Sequence, residues 1–183
     1  MKKNMFDSCG WLTAWCIGLL LAISLAASAE NLTGKVVRVS DGDTFVLLIE
    51  GNKQVRVRLH GIDAPEMSGG QPYCRQSRQA LADMIAGRTV TVKVHNYDRY
   101  KRAVGTVIDK NGVDVNLQMI KTGMAWHYSH FDDTPAYSRA EKEARNGRKG
   151  LWKDNNPVNP YQWRKRNKQK HETKSFNAST PEK

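Results

Sequence analysis

Cysteine is scarce. The chain has three, at positions 9, 16 and 74, and the first two lie in a segment that reads as a removable leader. Cys74 is then alone, which excludes an intramolecular disulfide and a cysteine-based zinc site. Its place at the start of an apolar-periodic helix fits a packed or capping role better than a catalytic thiol. Histidine is sparse too. His127 and His130 sit three apart in an expected loop with no third zinc ligand, so both are read as surface residues. Long hydrophobic runs are missing after the first 29 residues, and internal repeats are missing throughout. Acidic residues number 18 against 29 Lys and Arg, a formal charge of +11. That imbalance favours a polyanionic partner, either nucleic acid or an anionic surface, and does not choose between them.

What is present begins with the leader. Lys2 and Lys3 precede a largely apolar stretch from Trp11 to Ala27, and Ala27-Ser28-Ala29 is a small-residue cleavage signature. This predicts a signal peptide over residues 1–29 and an exported protein, secreted or periplasmic. An uncleaved anchor is the rival, but the apolar run is short and closes on the cleavage site, so no stable membrane anchor is expected. Residues 30–154 suffice for one domain with its own core. Residues 155–183 are rich in Asn, Lys, Arg, Ser and Thr with almost no apolar periodicity, which predicts a disordered basic tail.

Within the domain, alternation predicts strands over Thr33–Val39, Thr44–Ile49, Gln54–His60, Thr89–His95 and Ala103–Ile108. In the third of these Val55, Val57 and Leu59 share one face, so Arg56, Arg58 and His60 take the other and Arg58 points away from the core. A helical stripe of Ala80, Leu81, Met84 and Ile85 ends at Gly87. Asp114 reads as the cap of a short second helix, and Thr134-Pro135 as the start of a third that ends at Gly147. Five strands and about three helices make an α+β domain, and a five-stranded Greek-key OB-fold barrel is the leading candidate.

Two short runs carry the chemistry: Asp41-Gly42-Asp43-Thr44, and Arg58 followed by Asp63-Ala64-Pro65-Glu66. Oxygen ligands beside a guanidinium suit a hard divalent cation and a phosphodiester. Hydrolysing such an ester takes a cation near the phosphate, a base near the water, and donors that strengthen as charge builds on the equatorial oxygens. Asp43 and Asp63 can hold the cation, Glu66 a water, and Arg58 the phosphate. Each piece alone has an ordinary explanation: Asp-Gly-Asp is usually a turn, an outward arginine a solvated strand residue, and Glu66 a surface carboxylate.

Together with Asp98-Arg99-Tyr100-Lys101-Arg102, these runs resemble, in order and spacing, the staphylococcal-type thermonuclease (micrococcal nuclease) family over about residues 34–152. The resemblance implies an OB-barrel with three helices and a calcium-dependent endonuclease that hydrolyses DNA and RNA and leaves 3′-phosphate ends. It makes Asp43 and Asp63 calcium ligands, with the main-chain carbonyl of Ala64 as a third. Glu66 becomes the general base, and Arg58 and Arg102 the phosphate contacts. Asp41 matches a nearby acidic position, and Lys101 replaces a glycine in the turn before Arg102. A monomer acting on DNA and RNA is expected. The rivals are an OB-fold module that binds nucleic acid without cutting it, and a basic surface-adhesion protein that would leave the carboxylate spacing unexplained.

Overall fold

A computed structural model describes residues 30–178. The expected signal peptide lies outside the described residues. Strands β1 (Asn31–Asp41), β2 (Thr44–Ile49) and β3 (Lys53–Leu59) form a meander, and β4 (Ile62–Asp63) is a two-residue continuation. Helix α1 (Cys74–Ile85) leads to β5 (Thr89–Tyr97) and β6 (Ala103–Ile108). Then come α2 (Val115–Lys121), β7 (Trp126–His127), α3 (Pro135–Asn146) and α4 (Pro160–Ala178).

Five strands close a barrel in the order β1-β2-β3-β6-β5. All pairs are antiparallel except β3 with β6. Closure removes exposed edges, and two register shifts in β1, near Val37 and Ser40, let it bend from one neighbour to the other. The interior holds Phe45, Leu47, Val57, Leu59, Val92 and Val107, all fully buried. Leu81 and Ile85 of α1 and Met119 and Ile120 of α2 complete the same core. The alternation that put Val57 and Leu59 inward and Arg58 outward is the one observed.

The caps follow their chemistry. Asp114 accepts the Leu117 N–H at 2.9 Å and starts α2, while its other oxygen accepts the Tyr137 hydroxyl at 3.0 Å and ties α2 to α3. Thr134 takes the N-cap position of α3 with Pro135 behind it, but its hydroxyl donates to Asp132 rather than capping. Gly42 is not in the left-handed region. Glycine is required there by close approach, because a Cβ would lie 1.9 Å from Ser77 Oγ and 2.8 Å from the Ala64 Cβ.

The C-terminal segment departs most from the sequence reading. Where composition predicted a disordered tail, Pro160–Ala178 is helical, so the described residues hold four α-helices rather than three. Its start has a local cause: Asn159 Oδ1 accepts the Tyr161 N–H at 2.9 Å and proline occupies the first turn. No helix among the described residues is long and apolar enough to cross a membrane.

Candidate active site

The β1–β2 turn and the end of β3 meet because Thr44 pairs with Arg58 and the Leu59 N–H donates to the Asp43 carbonyl at 2.9 Å. Asp43 and Asp63 are 4% and 1% exposed. A carboxylate that deeply buried needs a charged partner, and Arg58 supplies it to both. Its Nη1 lies 2.9 Å from Asp43 Oδ2 and its Nη2 3.0 Å from Asp63 Oδ1. Asp43 also accepts the Thr44 hydroxyl at 2.8 Å and the Ala64 N–H at 3.3 Å. The neighbouring Asp43 charge, aided by Asp63, holds the Arg58 pKa above its ordinary value against the pull of burial.

Asp63 is fixed from its other side by a ribbon that periodicity does not reveal. Ile62 pairs with His127, and Asp63 with Trp126, in the β4–β7 pair. Behind it, Asp132 accepts His127 Nε2 at 2.8 Å, and His60 Nδ1 lies 3.6 Å from the same carboxylate. His127 is therefore buried, not on the surface as the sequence suggested. Glu66 follows Pro65 on a loop held by buried Gln71. The Gln71 amide oxygen accepts the Glu66 N–H at 2.9 Å, and its nitrogen donates to the Val158 carbonyl at 2.7 Å.

Carboxylates crowd this corner. Burial, with Asp43 and Glu66 adding repulsion, pushes Asp41 up to about 7. Burial also raises Glu66; a hydrogen bond from Arg164 opposes that and the Asp43 charge reinforces it. Such crowding, with oxygen donors only, fits a hard divalent cation. Among the described residues no group of three or more His, Cys, Asp or Glu side chains is arranged as a metal cage. In this arrangement guanidinium groups supply the positive charge.

Of the six residues expected at the site, Asp43, Arg58, Asp63, Ala64 and Glu66 come together. Arg102 stands apart. It lies in the turn just before β6, and its Nε is paired to Asp98 Oδ2 at 2.7 Å, with its guanidinium 5.5 Å from the Tyr100 ring centroid. Lys101 beside it is in the left-handed region at φ +59°.

One residue of the site escaped the sequence reading. Arg164 of α4 reaches back across the molecule, with Nη1 and Nη2 each 2.9 Å from an oxygen of Asp63 and Nη1 also on Glu66 Oε1. Hydrogen bonds to Asp63 and Glu66 raise its pKa despite burial. The missed signal was Tyr161-Gln162-Trp163 just before it, an aromatic pair inside a segment averaged as polar. A cleft of about 320 Å³ is lined by Tyr128, His130, Asn159, Tyr161 and Gln162 among others.

Comparison with known proteins agrees with the geometry. The model of the family described as staphylococcal nuclease homologue matches residues 56–154. An uncharacterized endonuclease of Haemophilus influenzae is 40% identical over 150 residues, covering 82% of this chain and 83% of that protein. An uncharacterized endonuclease of Escherichia coli is 40% identical over 148 residues, covering 81% and 95%. The probable staphylococcal-like nuclease CAN1 of Oryza sativa subsp. japonica is 45% identical over 113 residues, covering 62% and 33%. A closed five-stranded barrel, the carboxylate and arginine cluster at its rim and these similarities lead to one conclusion: the chain belongs to the staphylococcal nuclease homologue family and hydrolyses nucleic acid.

Proposed function

We propose that the protein is an exported, monomeric, calcium-dependent endonuclease that cleaves DNA and RNA with little sequence preference and leaves 3′-phosphate ends. The observation that carries this reading is Arg58 bridging two buried carboxylates, Asp43 and Asp63, with Glu66 on the adjoining loop. Asp43, Asp63 and the carbonyl of Ala64 would hold calcium, which would offset phosphate charge and favour approach of the nucleophile.

The chain's own groups do the rest. Arg58 sits at the rim of the barrel, where its fork can pair with phosphate oxygens and strengthen that pairing as they gain charge. Glu66 removes a proton from a water whose oxygen bonds to phosphorus. The bond from phosphorus to the 5′-oxygen breaks, that oxygen leaves with the electron pair and takes up a proton, and the phosphate stays on the 3′-oxygen. Arg102 holds Asp98 through its Nε and has its two terminal nitrogens to offer the phosphate. Because these contacts go to the sugar-phosphate backbone, little base preference is expected.

The test is incubation of the purified protein with plasmid DNA and with RNA, in calcium and in chelator, followed by end-group analysis. Cleavage should require calcium, leave 3′-phosphates, and fall by orders of magnitude in Glu66→Gln. Full activity in chelator would refute the calcium assignment, and 5′-phosphate products would refute the direction of cleavage.

A further inference from the structure

The mechanism above gives Arg164 no task, yet its guanidinium makes three hydrogen bonds to the carboxylates of Asp63 and Glu66. The fork grips both oxygens of Asp63 at 2.9 Å, and one of the same nitrogens reaches Glu66. Arg58 Nη2 already sits 3.0 Å from one of those oxygens, so a divalent cation approaching Asp63 would meet two guanidinium charges, and their repulsion opposes its binding while Arg164 stays docked. The guanidinium is also the group best shaped to exchange a carboxylate for a phosphate, since both offer two oxygens at matching spacing.

The helix that carries it packs on the loop that follows Glu66. Trp163 Nε1 donates to the Ser68 carbonyl at 3.2 Å, in an exposed position. Asn167 rests against Gly69, where a Cβ would stand 2.8 Å from its amide nitrogen. Upstream, the Gln71 amide holds Val158. That bond pins the segment before α4 to the loop of Glu66, so α4 has a fixed root at Val158 and an arm that leans on the active site. The first turn of α4 borders a cleft through Tyr161 and Gln162, and the Arg164 side chain itself is 36% exposed.

We propose that Arg164 is a mobile active-site arginine: docked on Asp63 and Glu66 at rest, it yields Asp63 to a divalent cation and pairs instead with the substrate phosphate. This rests on the reading of the site as cation-dependent. Docking and cation binding then compete, and if the docked form outnumbers the released form about ten to one, the apparent cation affinity is about tenfold below the intrinsic value.

Three measurements on the full chain decide it. Titration calorimetry with calcium should show Arg164→Ala binding about tenfold more tightly than the parent, with Arg164→Lys in between. Hydrogen exchange over residues 160–170 of the parent should speed up on adding calcium. With cleavage suppressed by Glu66→Gln, adding Arg164→Ala should weaken binding of a fluorescent DNA oligonucleotide in calcium about tenfold. Equal or weaker calcium binding by Arg164→Ala, exchange unchanged at saturating calcium, or unaltered oligonucleotide affinity would each overturn the proposal. Equal binding by parent and variant overturns this inference alone, whereas binding by neither overturns the calcium reading with it. Circular dichroism confirms that the variants are folded.

Discussion

Replacing Arg58 with alanine tests how the buried carboxylates are neutralised. Breaking a buried ion pair by removing one partner costs about 3–5 kcal/mol, because a charge is left without compensation. Here the two legs differ. On Asp63, Arg164 keeps two contacts at 2.9 Å. On Asp43 only the Thr44 hydroxyl and the longer Ala64 N–H bond remain. The Asp43 leg therefore dominates, and Arg58→Ala should lose about 2–3 kcal/mol. At about 2–4 °C per kcal/mol for a domain of this size, that lowers the Tm by roughly 5–10 °C. Arg164 is 36% exposed on its side chain, so Arg164→Ala alone should cost about 1 kcal/mol or less. Together the two changes strip Asp63 of both guanidinium partners, and the double variant should exceed the sum of the singles by about 1 kcal/mol or more. Urea denaturation of all four proteins in chelator gives the cycle. Additivity within about 0.5 kcal/mol, or an Arg58→Ala loss below about 1 kcal/mol, would refute the shared dependence of Asp63.

Three further outcomes are expected. Asp41 has a folded-state value of about 7 against an ordinary 3.8, so its contribution is fully present below the ordinary value and is lost as pH rises through 7. Asp41→Asn should then stabilise the protein by about 1–2 kcal/mol at pH 8, after discounting for solvent screening, and by nothing near pH 3; melts showing an equal gain at both would contradict this. Lys101→Gly should stabilise by about 0.5–1 kcal/mol, since the left-handed backbone penalises a side chain more than the entropy of a freer unfolded chain offsets, and a lower urea midpoint would show that the turn is unstrained. Asn116 is buried, accepts the Val107 N–H at 3.1 Å and donates to the His60 and Gly105 carbonyls at 2.9 and 3.2 Å. Asn116→Ala should cost about 2–4 kcal/mol by leaving those groups unpaired, and a change within about 0.5 kcal/mol would mean that other donors replace it.

The five barrel strands and first three helices were legible because each has a local cause: a period of two in Val55, Val57 and Leu59, a stripe through Leu81 and Ile85, and a carboxylate cap at Asp114. The outward aim of Arg58 came from the same alternation. The β4–β7 ribbon was not legible, since two residues on each strand show no period, and neither was the burial of His127, which depends on Asp132 and Ser138 folding over it.

By itself the sequence determined the barrel class, because strand alternation acts over a few neighbours, and the family, through the order and spacing of its motifs; it also named five residues that the fold brings together. Only the tertiary structure decided which groups share the charge of Asp63. Arg58, expected to meet a phosphate, is five residues away along the chain; Arg164 is 101 residues away. It is brought in by a helix whose composition looks like a solvated tail, and a charge pairs with what stands beside it in space.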